Sequence, residues 1–160
     1  MEVPIWWGNA PSAHRRSLLV LSVAFLAFLT GCTGQSGGTW HVLSTAVGDS
    51  ASAIAAARLA LGLDSAGKLT TAATSTALDD ALRELQASRD TVLRLTPSTP
   101  EDRAVRQETL TVLDTCAAGL TTARDAVFSG NGSPSLADGD RALKSGADSL
   151  SQLKTKVDSK

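Results

Sequence analysis

Residues 78–95 read LDDALRELQASRDTVLRL. Leu78, Leu85 and Val92 recur every seven residues, and Ala81, Ser88 and Leu95 fall between them. This spacing draws one apolar stripe along a helix, the pattern of helices that pack nearly parallel or antiparallel to a neighbour. The same register recurs along the chain. Val47, Ile54 and Leu61 carry it first, with Leu43, Ser50 and Ala57 interleaved. Leu113, Leu120 and Val127 carry it again, joined by Leu110 and Ala117. Leu136, Leu143, Leu150 and Val157 form the last series. No stripe is long enough for a free-standing coiled coil, so the four segments must bury one another.

The breaks between stripes carry helix punctuation. Asp64-Ser65-Ala66-Gly67-Lys68 ends the first helix, with Gly67 suited to a left-handed C-terminal residue. Thr70 or Thr71 opens the second. Pro97 and Pro100 separate the second from the third. Thr99 can cap there, with Pro100 at the first helical position and Glu101 and Asp102 on the positive end of the dipole. Ser129-Gly130-Asn131-Gly132-Ser133-Pro134 separates the third from the fourth. All three connections are short, so successive helices are antiparallel. The expected fold is all-α: an up-down-up-down antiparallel four-helix bundle over residues 40–160, monomeric, with Ile54, Leu85, Leu120 and Leu150 in its core. The many Thr and Ser residues lower local helix propensity, which leaves packing to supply much of the stability.

Upstream of the bundle the pattern changes. His14, Arg15 and Arg16 precede an apolar run over 18–29 interrupted only by Ser22. A bilayer needs roughly 20 apolar residues, so this run is too short to span one. A positive segment, a short apolar segment and a small-residue end are the layout of a cleaved signal peptide, here residues 1–31. The run closes on Leu29-Thr30-Gly31-Cys32, which resembles the lipobox of bacterial lipoproteins. The resemblance implies that the Cys32 thiol receives a diacylglycerol and that the chain is cut just before Cys32. It also implies further acylation of the new N-terminus, with palmitate among the acyl chains. A lipoprotein of this kind is held by its lipid anchor on the extracytoplasmic face of the cell membrane. The Ala-, Thr- and Arg-rich composition is similar to that of actinomycete proteins. Ordinary secretion accounts for the arginines, although Arg15-Arg16-Ser17-Leu18-Leu19 partly resembles a twin-arginine signal. Residues 1–13 precede the positive segment and read as an over-extended start. Residues 32–39, rich in Gly and Ser, read as a flexible tether.

Composition excludes several function classes. The net charge is −1 and Lys and Arg are scattered. No basic stripe exists to neutralise a phosphate backbone, so no nucleic-acid partner is expected. Beyond residue 31 the aromatics are Trp40 and Phe128, and the chain has no Tyr. Pockets for glycans, nucleotides and drug-like ligands usually have aromatic walls, which are missing here. Trp40 has two open readings: resting at the headgroup level beside a lipid anchor, or capping the end of the first helix or of the bundle.

Catalytic and metal chemistry is equally thin. Cys116 is the lone thiol once Cys32 is lipidated, so no internal disulfide forms and burial is expected. His41 is the one histidine beyond residue 31, and no Glu precedes a His at the i, i+3 spacing of bundle metal sites. No metal or other cofactor is expected. A nucleophile pair would have to be Cys116 with His41, which read instead as a core thiol and a surface imidazole. Gly130-Asn131-Gly132 lacks the Lys and the preceding strand of a P-loop. Asp138-Gly139-Asp140 lacks the spaced ligands and closing Glu of a calcium loop. Gly139 and Gly146 lie three residues beyond Leu136 and Leu143, where small residues allow a neighbouring helix to approach closely. Asp79 and Arg83, Asp90 and Arg94, Asp102 and Arg106, and Asp140 and Lys144 are spaced as i, i+4 surface pairs.

Residues 53–63 are apolar nearly all round. Their alanines are either tolerated at the surface or meet a protein or the membrane. With no enzyme chemistry in view, the expected role is a membrane-anchored, non-enzymatic protein-interaction module of the cell envelope, its partner another envelope protein. The alternative is an extracytoplasmic sensor or carrier that binds a small ligand between the helices.

Overall fold

Each helix begins and ends where local chemistry satisfies the backbone. The computed structural model describes residues 38–129 and 132–159. Within them α1 spans Thr39–Ser65, α2 Thr71–Leu93, α3 Pro100–Phe128 and α4 Leu136–Asp158. Thr70 caps α2 by accepting from the Ala73 amide at 3.3 Å. At α3 the Thr99 hydroxyl accepts from the Asp102 amide while the Asp102 carboxylate accepts from the Thr99 amide, with Pro100 in the first turn. Ser135 and Asp138 form the same reciprocal box at α4. Each box satisfies two amides that a helix start leaves unpaired. α1 stops at Gly67, whose φ of +67° a side chain would strain. The Gly67 amide donates to the Asp64 carbonyl and the Lys68 amide to that of Leu63, as in a Schellman closure. The end of α2 is held from outside: Arg106 of α3 donates to the carbonyls of Val92 and Leu93 at 3.0 and 2.8 Å.

The helices close a ring in which α1 and α3 each pack on both α2 and α4, and α1 also meets α3 across the diagonal. Cross-helix contacts fix the direction. Gly139 of α4 lies against Ala123 of α3 and Gly146 against Cys116, so one helix ascends as the other descends. Arg58 pairs with Asp140 and Ser44 bonds Asp158, which sets α1 antiparallel to α4. Arg89 pairs with Asp114 and Arg124 with Asp79, which does the same for α2 and α3. The fold is the up-down-up-down antiparallel four-helix bundle that the stripes and short connections predict.

The stripes are the core. Ile54, Leu85, Leu120 and Leu150 are each at most 2% exposed. Leu95, Val127 and Leu136, at the ends of their stripes, are half-buried against it. Polar residues within the core bond their own helix: Ser50 donates to the Ala46 carbonyl, Thr74 to that of Thr70 and Thr109 to that of Val105. That removes the cost of an unpaired buried hydroxyl. α1, at 27 residues, is long and apolar enough to cross a membrane by length and composition. Its buried residues, Leu43 to Leu61, pack into the bundle core against the other helices.

The expected acid-first surface pairs do not form. Asp79 reaches across to Arg124, and Arg83 bonds Asp80 instead. Asp140 reaches across to Arg58, and Lys144 turns to Asp148. Asp102 is held by its capping box, and Arg106 by the α2 carbonyls. Arg94 donates to Thr91 rather than pairing with Asp90. Carboxylates at helix starts and between helices find stronger or nearer donors than the residue four positions on. The signal peptide over 1–31, the lipidation site Cys32, tether residues 33–37 and Gly130-Asn131 lie outside the described residues. α1 begins at Thr39, inside the expected tether by one residue.

Candidate functional site

The α3–α4 seam holds the thiol. Gly146 and Cys116 face each other there, and a Cβ built on Gly146 would stand 3.0 Å from the Cys116 sulfur. Cys116 is 1% exposed, and burial pushes its thiol up to about 11. A thiol in that state holds almost no thiolate at neutral pH and is a poor nucleophile. His41 is exposed at the start of α1, beside Trp40, Ser44 and Asp158 at one end of the bundle. The structure therefore does not bring Cys116 and His41 together. The expected core thiol and surface imidazole are what it shows.

The carboxylates with displaced titration serve as caps and ties. The Ser135 hydroxyl, then the Ser135 amide and Arg141, hold Asp138 at about 2. This capping role occupies the Asp138-Gly139-Asp140 stretch whose spacing faintly suggests a calcium loop, with Asp140 tied to Arg58. Hydrogen bonding from Thr99 lowers Asp102, assisted by Ser98 and by Trp40 and opposed by burial. Trp40 is half-buried, packs against the core and lies close enough to Asp102 to help lower it. Of its two readings, the structure supports the cap of the bundle end. Lys154 and Ser44 lower Asp158. Among the described residues no group of three or more His, Cys, Asp and Glu is placed to hold a metal ion.

The remaining feature is the outer side of α1. From 53 to 63 the exposed positions are Ala55, Ala56, Leu59 and Gly62, and Leu59 is 66% exposed. Arg58, the one charged residue in that run, is half-buried and turned to Asp140. Beside this face an open groove of about 470 Å³ runs between α1 and α2. Ala53 and Ala56 of α1 and Ala77 and Ala81 of α2 line it, with Asp49, Asp80 and Glu84 along its edges. Sequence reasoning finds the α1 wall from its apolar run. It misses the α2 wall, although Ala77 and Ala81, and Asp80 and Glu84, are each spaced i, i+4 and so share a helix side. Comparison of the chain with protein families, curated proteins and solved structures found no match.

Proposed function

We propose that this chain is a bacterial cell-envelope lipoprotein, anchored through lipid on Cys32, whose bundle acts as a non-enzymatic protein-interaction module. The observation that carries the interaction reading is the outward face of α1. A helix buried on one side normally turns charged and polar residues to water on the other. Here the exposed residues between 53 and 63 include no charged side chain, and Leu59 stands among them at 66% exposure. A single exposed leucine is ordinary. A leucine continuing an alanine surface along an open groove is a contact surface. Close packing of leucine, valine and alanine side chains between the helices supports binding at this surface over ligand uptake into the interior.

Two measurements test the reading. Labelled palmitate is expected to enter the wild-type protein and not a Cys32→Ala variant; failure to label the wild type removes the anchor. Ala56→Glu, on an exposed position, is expected to reduce partner capture in cells without lowering the melting temperature. Capture that survives moves the interface elsewhere. Substrate turnover by the purified protein, lost on changing His41 or Cys116, overturns the non-enzymatic role.

A further inference from the structure

We infer that the α1–α2 groove receives a basic amphipathic helix of a partner protein, its small apolar face on the alanine floor and its Lys or Arg residues against Asp49 and Glu84. This rests on the interaction reading above and adds the chemistry of the partner. The floor is apolar and shallow: Ala53, Ala56, Ala77 and Ala81 leave room for a partner's side chains between two helix backbones. Leu59 lies three residues beyond Ala56, so it extends the α1 wall along the same side and offers an apolar anchor past the groove's end. Grooves between antiparallel helices take a third helix through residues spaced i, i+3, i+4 and i+7.

Charge selects which helix. Asp80 on the edge already pairs with Arg83 at 2.9 Å. Asp49 and Glu84 line the same groove from opposite helices, and neither has an ion pair or side-chain hydrogen bond among the described residues. No Lys or Arg lines the groove. Two carboxylates flanking an apolar floor repel a partner with acidic flanks and attract one with basic flanks. A second copy of this chain would bring its own acidic edges to the same place, which disfavours self-association through this face.

The test uses the full-length chain in the cells that make it. A photocrosslinking residue replaces Ala56 in one version, exposed Thr121 of α3 in a second and exposed Ser145 of α4 in a third. The captured segment is sequenced by mass spectrometry. The expected result is capture from position 56 of a protein segment with helically spaced small and apolar residues flanked by Lys or Arg. Asp49→Lys with Glu84→Lys should reduce that yield at least tenfold, with the helical circular dichroism unchanged. Raising the salt concentration should reduce it as well. A captured segment with acidic or uncharged flanks, a second copy of this chain, a lipid, or undiminished capture by the doubly reversed variant each overturns the inference. Capture from positions 121 or 145 alone overturns the groove but keeps the interaction module. Capture from none of the three overturns both.

Discussion

Gly146→Ala is expected to destabilise this bundle, and the same substitution made in a Cys116→Ala background is expected to stabilise it. Alanine is about 1 kcal/mol better than glycine inside a helix, so propensity alone favours the change. The new Cβ would lie 3.0 Å from the Cys116 sulfur, however, in a core where that residue is 1% exposed. Favourable contacts between uncharged heavy atoms lie at about 3.5–4.0 Å. Extra methyl groups forced into a packed core cost about 1–3 kcal/mol. The net is a loss of about 1 kcal/mol. Cys116→Ala alone removes one buried atom and should cost a similar amount, about 1 kcal/mol. With the sulfur gone, the nearest atoms to the new methyl are the residue 116 Cα at 3.5 Å and Cβ at 3.7 Å, both ordinary contacts. The propensity gain then emerges unopposed, for a coupling of about 1–3 kcal/mol between the two sites. Urea unfolding of the wild type, both single variants and the double variant, followed by far-UV circular dichroism, measures this directly. The slopes must agree for the comparison to hold. Gly48→Ala is the control: its added Cβ meets nothing within 4 Å, so it should gain about 1 kcal/mol. Additive effects at 116 and 146, or a Gly146→Ala single variant as stable as the Gly48 control, would refute the reasoning that the sulfur excludes a side chain at 146.

Leu120→Ala should cost about 2–5 kcal/mol, because Leu120 is 1% exposed in the shared core; an unchanged urea midpoint would remove it from that core. Asp138 falls from 3.8 to about 2 on folding. Its contribution is therefore complete above the unfolded value and disappears as the pH drops through about 2. The stability gap between wild type and Asp138→Asn should accordingly narrow through that window, and a gap independent of pH there would contradict the capping role. The Cys116 thiol should react slowly with an aromatic disulfide reagent at mildly alkaline pH and rapidly once urea unfolds the chain; fast modification of the folded protein would show that it is accessible.

The elements were legible because their signals are local. An apolar residue every seven positions reports burial directly, and Leu78, Leu85 and Val92 are all at most 2% exposed. Thr99 before Pro100 and Gly67 after α1 punctuate helices through bonds spanning a few residues, and both act as their spacing predicts. The Ser135–Asp138 box is just as local, but sequence reasoning passes over it and compares Asp138-Gly139-Asp140 with a calcium loop instead. The charge pairs were not legible. Asp140 bonds Arg58, a residue 82 positions away, and Arg106 bonds carbonyls of the preceding helix. Spacing of i, i+4 shows which partners lie within reach on one helix. It carries nothing about partners supplied by a neighbour, whose register is set by packing.

Small residues show the same division most clearly, because they form the α3–α4 seam in one place and line the α1–α2 groove in another. Gly139 and Gly146 were readable as a close-approach face of α4, and a Cβ at Gly139 would lie 2.9 Å from the Ala123 Cα. Their counterpart, Gly119 of α3, was not, since its stripe is read from leucines; a Cβ there would stand 3.1 Å from the Ala142 carbonyl oxygen. Glycine on both helices lets the α3 and α4 backbones meet. Between α1 and α2 the small residues are alanines: Ala53, Ala56, Ala77 and Ala81 line the groove from the two helices. The neighbouring edges carry Asp49, Asp80 and Glu84, whose charges resist being drawn out of water. Both pairs pack closely, the α3–α4 pair through a glycine-lined seam and the α1–α2 pair beneath an open surface groove. Which small residues meet a facing backbone and which line an open surface depends on the register between helices, which the composition of any single helix does not reveal.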